Sequence, residues 1–187
     1  MKTMPEELIV EHCAPTLAGV KTGNLFNCGY SCKEQLMKQI EEINHRFRNC
    51  DLKMTILSYP KDRALIYLYR PTWLKTDLSK EEVVSILKER GYPIDDMSAC
   101  IDVLSQRIQS SHQRAFPHEI GCFLGYPAED VRGFIEDIKP CKLVGTWKVY
   151  GNEEMAKHLF QIYEKCTYAY LEHFEKGMSL EQLVRFV

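Results

Sequence analysis

The chain has 187 residues, 45% hydrophobic and 27% charged, with a formal net charge of −2. This is the composition of an ordinary globular domain with a full hydrophobic core, and it excludes disordered and fibrous classes. The near-neutral balance offers no basic field for nucleic acid or an anionic membrane surface, and no apolar run approaches the roughly 20 residues that cross a bilayer.

In chain order, PEELIVEHC (residues 5–13) starts a helix: Pro5 suits the first turn, acids suit its positive end, and Pro15 ends it or forces a turn. LAGVKTGNLFNCGY (17–30) contains three glycines and reads as loop, with a short strand near Leu25-Phe26. Ser31 and Glu34 have the spacing of a capping box, opening a helix whose apolar face is Leu36, Met37, Ile40, Ile43 and Phe47. MTILSY and ALIYLYR are β-branched and aromatic, and the intervening PKDR is turn chemistry, which predicts a hairpin with strands at about 52–59 and 64–70. Ser79 and Glu82 suggest a second capping box for a helix over 80–90, stopped by Gly91. The helical period returns over 96–110 through Met97, Cys100, Ile101, Leu104 and Ile108.

FPHEIGCFLGYPAEDVRGFI (116–135) reads as two short helices joined at Gly125-Tyr126-Pro127, with Pro117 in the first turn. Gly121 and Gly133 then lie inside helices, where each costs about 0.8–1.0 kcal/mol against alanine. That cost demands close packing, either by another part of the chain or by a bound molecule. CKLVGTWKVYG (141–151) reads as a third strand with Leu143, Gly145, Trp147 and Val149 on one face. Asn152 caps a long helix over about 153–175, Gly177 stops it, and Ser179 with Gln182 caps a short final helix. Strands this few and clustered argue against a doubly wound sheet. The expected fold is α+β: one domain spanning 1–187, with a small, mainly antiparallel sheet (hairpin about 52–70 plus strand about 141–150) packed with several helices.

Eight scattered cysteines, several at apolar helix positions, fit a reducing cytoplasm better than a secreted disulfide scaffold. MKTMPEELIVEH carries acids where an export signal needs an apolar run. Cys28 and Cys32, with His12 or His45, do not supply four nominated ligands, so no metal site is expected.

The candidate chemistry lies elsewhere. His12-Cys13 offers a thiol beside an imidazole, although neighbours on a helix point about 100° apart and Cys13 equally suits packing. Lys21, in a glycine-rich loop, can aim an ammonium at an anion, without P-loop spacing. Arg70, at the end of a strand, can clamp a carboxylate or phosphate, or pair with a local acid. His118-Glu119 can share acid–base work. It is not the metalloprotease motif, because Cys122 stands where the second histidine would fall. AEDVRGFIED has one arginine against four acids, which is unsuited to a DNA-reading helix.

The segments LAGVKTGNLF, LIYLYRP, FPHEIGCFLGYPAEDVRGFI and WKVYGNEEMAKHLFQIY together resemble the bacterial domain-of-unknown-function family numbered thirty-seven ninety-three. The resemblance runs over most of the chain and is most specific in HEIGCFLGYPAEDVRGFI. It implies a soluble bacterial single-domain protein, mostly from anaerobic Gram-positive species. It carries over no activity, substrate or catalytic residue. Its gene neighbourhoods suggest redox or iron physiology and a redox-protein partner.

The expectation is therefore a cytoplasmic binding domain for a small anionic ligand or cofactor of unspecified identity, drawing on Lys21, Arg70 and the His118-Glu119 corner. One alternative is a small enzyme using Cys13 or His118-Glu119. The other is an interaction or regulatory module linked to redox or iron physiology. Nucleic-acid and membrane partners are not expected.

Overall fold

A computed structural model describes residues 4–110 and 116–185. Its organising element is strand β3 (Arg63–Tyr69), which has a neighbour on each side: β1 (Gly23–Gly29) and β2 (Lys53–Ser58), both antiparallel, in the order β1-β3-β2. Successive side chains of a strand point to opposite faces. Ala64, Ile66 and Leu68 enter one core, while Leu65, Tyr67 and Tyr69 enter the other. Both faces are covered, which is why ALIYLY is a continuous apolar run instead of an alternating one.

The first face is covered by α1 (Glu6–Leu17), α2 (Lys33–Arg46), α9 (Leu180–Val184) and residues of the long α8 (Glu153–Glu175). The second is covered by α3 (Pro71–Leu78), α4 (Glu81–Glu89), α5 (Met97–Ser110), α6 (Ile120–Phe123) and α7 (Ala128–Ile135). The fold is α+β, as the sequence implies.

The third strand of the sheet is β1, which contains the short strand expected near Leu25-Phe26 and extends it to both sides within the glycine-rich stretch. Gly23 opens it because a Cβ there would lie 2.6 Å from Cε2 of Tyr67. The Tyr67 hydroxyl passes this position and donates to the Phe123 carbonyl at 2.5 Å, tying the sheet to the corner after α6. The 141–150 segment does not join the sheet. It forms its own ribbon, β4 (Leu143–Val144) with β5 (Lys148–Val149). The buried carboxylate of Asp130 accepts from the backbone N–H groups of Tyr150 and Gly151 and from Trp147 Nε1. These bonds anchor the ribbon to α7, and Trp147 and Val149 fill a separate small core with Ala156.

Local signals also shift. Two of the expected capping boxes do not form: Cys32 and Lys80 occupy the N-cap positions of α2 and α4, without side-chain caps. Asn152 and Ser179 do cap α8 and α9. α1 runs through Pro15 to Leu17, and Pro71 starts a helix directly after β3.

The interior glycines of the corner are packed by the chain itself. A Cβ on Gly121 would meet Val131 Cγ2 at 2.7 Å, and one on Gly133 would meet Tyr150 Cγ at 2.5 Å. Gly133→Ala should gain about 0.8–1.0 kcal/mol of helix propensity and lose more to overpacking, for a net destabilisation of about 1–2 kcal/mol. Urea unfolding measures it, and an unchanged or higher midpoint would contradict the close contact with Tyr150.

Candidate functional site

The site grows out of the C-terminal end of α1. The last carbonyls of a helix lack intrahelical donors. Here Arg70 supplies them: Nε donates to Thr16 O at 2.8 Å and Nη2 to Leu17 O at 2.7 Å. Gly19, at φ +69°, reverses the chain, and a Cβ there would lie 3.3 Å from the Arg70 guanidinium carbon. The N–H groups of Val20 and Lys21 both donate to Pro15 O, and Arg70 N donates to Thr22 O. With its backbone pinned on both sides, this turn sends the Lys21 side chain inward.

Lys21 is only 4% exposed. Its ammonium donates to Gly23 O at 2.5 Å and lies 5.1 Å and 6.0 Å from the ring centroids of Tyr126 and Tyr163. Among the described residues, no carboxylate pairs with it within salt-bridge distance. Burial disfavours the charged form and brings its pKa down to about 7. A Cys13 thiolate would oppose that shift, but burial pushes the Cys13 thiol far above its ordinary range, so the sulfur carries no charge where Lys21 titrates.

Beside Lys21 is a cavity of about 480 Å³, whose lining includes His12, Asn24, Thr146, Tyr163, Glu164 and Thr167. His12 is exposed and stacks on Phe26, with ring centroids 6.0 Å apart.

The family model described as Protein of unknown function (DUF3793) matches residues 9–184. The chain belongs to the DUF3793 family. No curated protein and no solved structure matches the chain. The span matched by the DUF3793 model takes in every residue of the Lys21 site, from His12 to Leu171.

Of the sequence-derived candidates in this DUF3793 chain, the fold brings His12, Cys13 and Lys21 together. Cys13 is wholly buried beneath the loop, a setting that suppresses thiolate formation. Arg70 lies behind the same loop, and its guanidinium donates to the helix-end carbonyls of Thr16 and Leu17.

His118 and Glu119 border a different cavity, of about 510 Å³. Glu119 is 1% exposed and accepts from Tyr92 Oη at 3.0 Å and Arg107 Nη1 at 3.1 Å, with Arg90 Nη1 3.6 Å away. The His118 ring meets Phe134 edge-on at 4.6 Å. Among the described residues no hydrogen bond joins the pair, and Glu119 is engaged as a structural counter-ion.

Among the described residues there is no group of three or more His, Cys, Asp or Glu side chains arranged for a metal. Cys28 lies in β1, and the Cys32 thiol donates to Glu34 at 2.9 Å. No described helix is long and apolar enough to cross a membrane.

Sequence reasoning missed Tyr126, Tyr163 and Thr146. Tyr126 reads as a turn residue and Tyr163 as an ordinary apolar-face position, and neither has a local pattern that ties it to a lysine more than 100 positions away.

Two outcomes follow from these surroundings. Arg70→Met removes the donors to Thr16 and Leu17 and should cost about 1–3 kcal/mol, read as a lower denaturation midpoint. For Lys21, the folded pKa of about 7 lies below the unfolded value, near 10.4. Between these values the unfolded chain binds more protons, so this group makes stability rise with pH from about 7 to about 10. The stability of wild type relative to Lys21→Met should therefore climb across that window and be flat below it. Parallel melts of the two proteins at stepped pH measure the difference, and a constant gap would contradict the buried ammonium.

Proposed function

We propose that this chain is a binding domain for a small anionic ligand, held over Lys21, in the cytoplasm of a bacterium. The observation that carries this reading is a buried ammonium with no carboxylate partner among the described residues, beside an open cavity. A buried charge is expensive unless it is paired, and folded proteins retain such groups chiefly at functional sites. An anion entering from solvent completes the pair.

The walls suit a ligand with one charged end and an apolar body. Asn24, Thr146 and Thr167 offer polar contacts, and Phe160 and Tyr163 offer ring surface. Glu164 on the same wall disfavours a second negative charge on the ligand, which points to a monoanion. The volume of about 480 Å³ lies within the range of small-molecule sites.

Isothermal titration with a panel of monocarboxylates, at pH 6.5 and 8.5, tests the reading. An anion binds the protonated lysine and raises its pKa. Affinity should be constant below about pH 7 and fall by up to about tenfold per unit above it. Lys21→Met should abolish binding while remaining folded. Absence of heat across the panel at millimolar ligand, or equal binding by Lys21→Met, would refute the proposal.

A further inference from the structure

The geometry points to Lys21 as a covalent, imine-forming lysine, and to a small 2-oxo acid as the class of ligand it takes. The inference rests on the anion-binding reading of the same cavity and adds the chemistry at the nitrogen.

A lysine attacks a carbonyl only as the free amine, and the usual way to keep one near neutral pH is to enclose it in apolar walls without a counter-ion. Lys21 meets each condition. It is held inward by a pinned turn, faces the rings of Tyr126 and Tyr163, and has no carboxylate within pairing distance among the described residues. The titratable groups around it are Cys13 and His12 from α1, Tyr126 from the corner, Tyr163 and Glu164 from α8, and Asp77 of α3, which accepts from the hydroxyl of the neighbouring Thr22. Cys13 is neutral, as shown above, and Glu164 is on the cavity wall without an ion pair to Lys21. With a pKa of about 7, about half of Lys21 is amine at neutral pH, against roughly one in two thousand for an exposed lysine.

The surroundings also suit the product. The Nζ lone pair adds to the carbonyl carbon, and the carbonyl π electrons move to oxygen, which takes a proton. Loss of that oxygen as water breaks the C–O bond and leaves a protonated imine. One amine, one carbonyl and one proton thus become one iminium and one water, with no redox change. His12 lines the same cavity, and an imidazole there can carry protons for the leaving oxygen. The iminium retains one N–H, which Gly23 O can accept, and its positive charge falls between ring faces that favour a cation. A carboxylate adjacent to the carbonyl carbon, as in a 2-oxo acid, then provides the missing counter-charge. The acid Lys21 lacks in the protein arrives with the ligand.

The test uses the full chain with pyruvate and sodium cyanoborohydride, which reduces an imine to a stable secondary amine, followed by intact mass and peptide mapping. A single reduced adduct on Lys21 is expected. It should form at pH 7 roughly a thousandfold faster than on surface lysines, reflecting their far smaller amine fraction. Acetone, which has the ketone without the charge, should label Lys21 more weakly, and Lys21→Arg should give no adduct there. Label spread over surface lysines, or absent from Lys21, overturns the inference. Lactate, with the charge and no ketone, separates the two readings. If lactate and pyruvate both shift the melting curve and pyruvate leaves no adduct, anion binding stands and imine formation falls. If neither shifts it and no adduct forms, both fall.

Discussion

Burial of β3 on both faces is the constraint from which the rest of the structure follows. A central strand with Ala64, Ile66 and Leu68 on one side and Leu65, Tyr67 and Tyr69 on the other needs two separate helical covers. The chain supplies them in two blocks. Its beginning and end, α1, α2, α8 and α9, lie on one face, and its middle, α3 to α7, lies on the other. The Tyr67 hydroxyl is the clearest sign of this division. A phenol at the centre of a sheet must find an acceptor once buried, and it finds the Phe123 carbonyl, which fixes where the 116–135 corner sits.

The Lys21 cavity lies where these blocks meet. Lys21 follows α1, Tyr163 belongs to α8, and Tyr126 comes from the corner of the opposite block. Thr146 enters from the ribbon that Asp130 holds in place. A lysine without a counter-ion weakens a fold, because its charge must be removed either from water or from the nitrogen. Here the expense falls on one residue in a rigid turn whose helix end, glycine and backbone bonds are otherwise satisfied.

The buried acids show the contrasting arrangement. Glu119 is ringed by Arg107, Arg90 and Tyr92, and Asp130 accepts an indole N–H and two backbone N–H groups. Both are fully engaged by the protein and hold elements together. Lys21 has a single carbonyl and two ring faces. That difference in satisfaction, more than burial alone, sets Lys21 apart from the two acids.

Much of this is written locally. Hydrophobic period, the PKDR turn, Asn152 and Ser179 each act over a few residues, so the hairpin, most helices and the α+β class are determined by the sequence itself. So is the need for something to pack on Gly121 and Gly133, since helix propensity alone would favour alanine there. Partner choice was not legible. Whether LAGVKTGNLF is a loop or a strand depends on whether β3 has a free edge. Whether WKVYG joins the sheet depends on Asp130, some 20 residues earlier, claiming its N–H groups. Arg70 and His118-Glu119 carry the right chemistry, and only the tertiary structure assigns Arg70 to a helix end and Glu119 to two arginines. The same holds for Lys21: the sequence shows a lysine between glycines, and its depressed pKa arises from burial against side chains more than 100 positions away. Desolvation is a property of the assembled interior, which no local stretch of sequence contains.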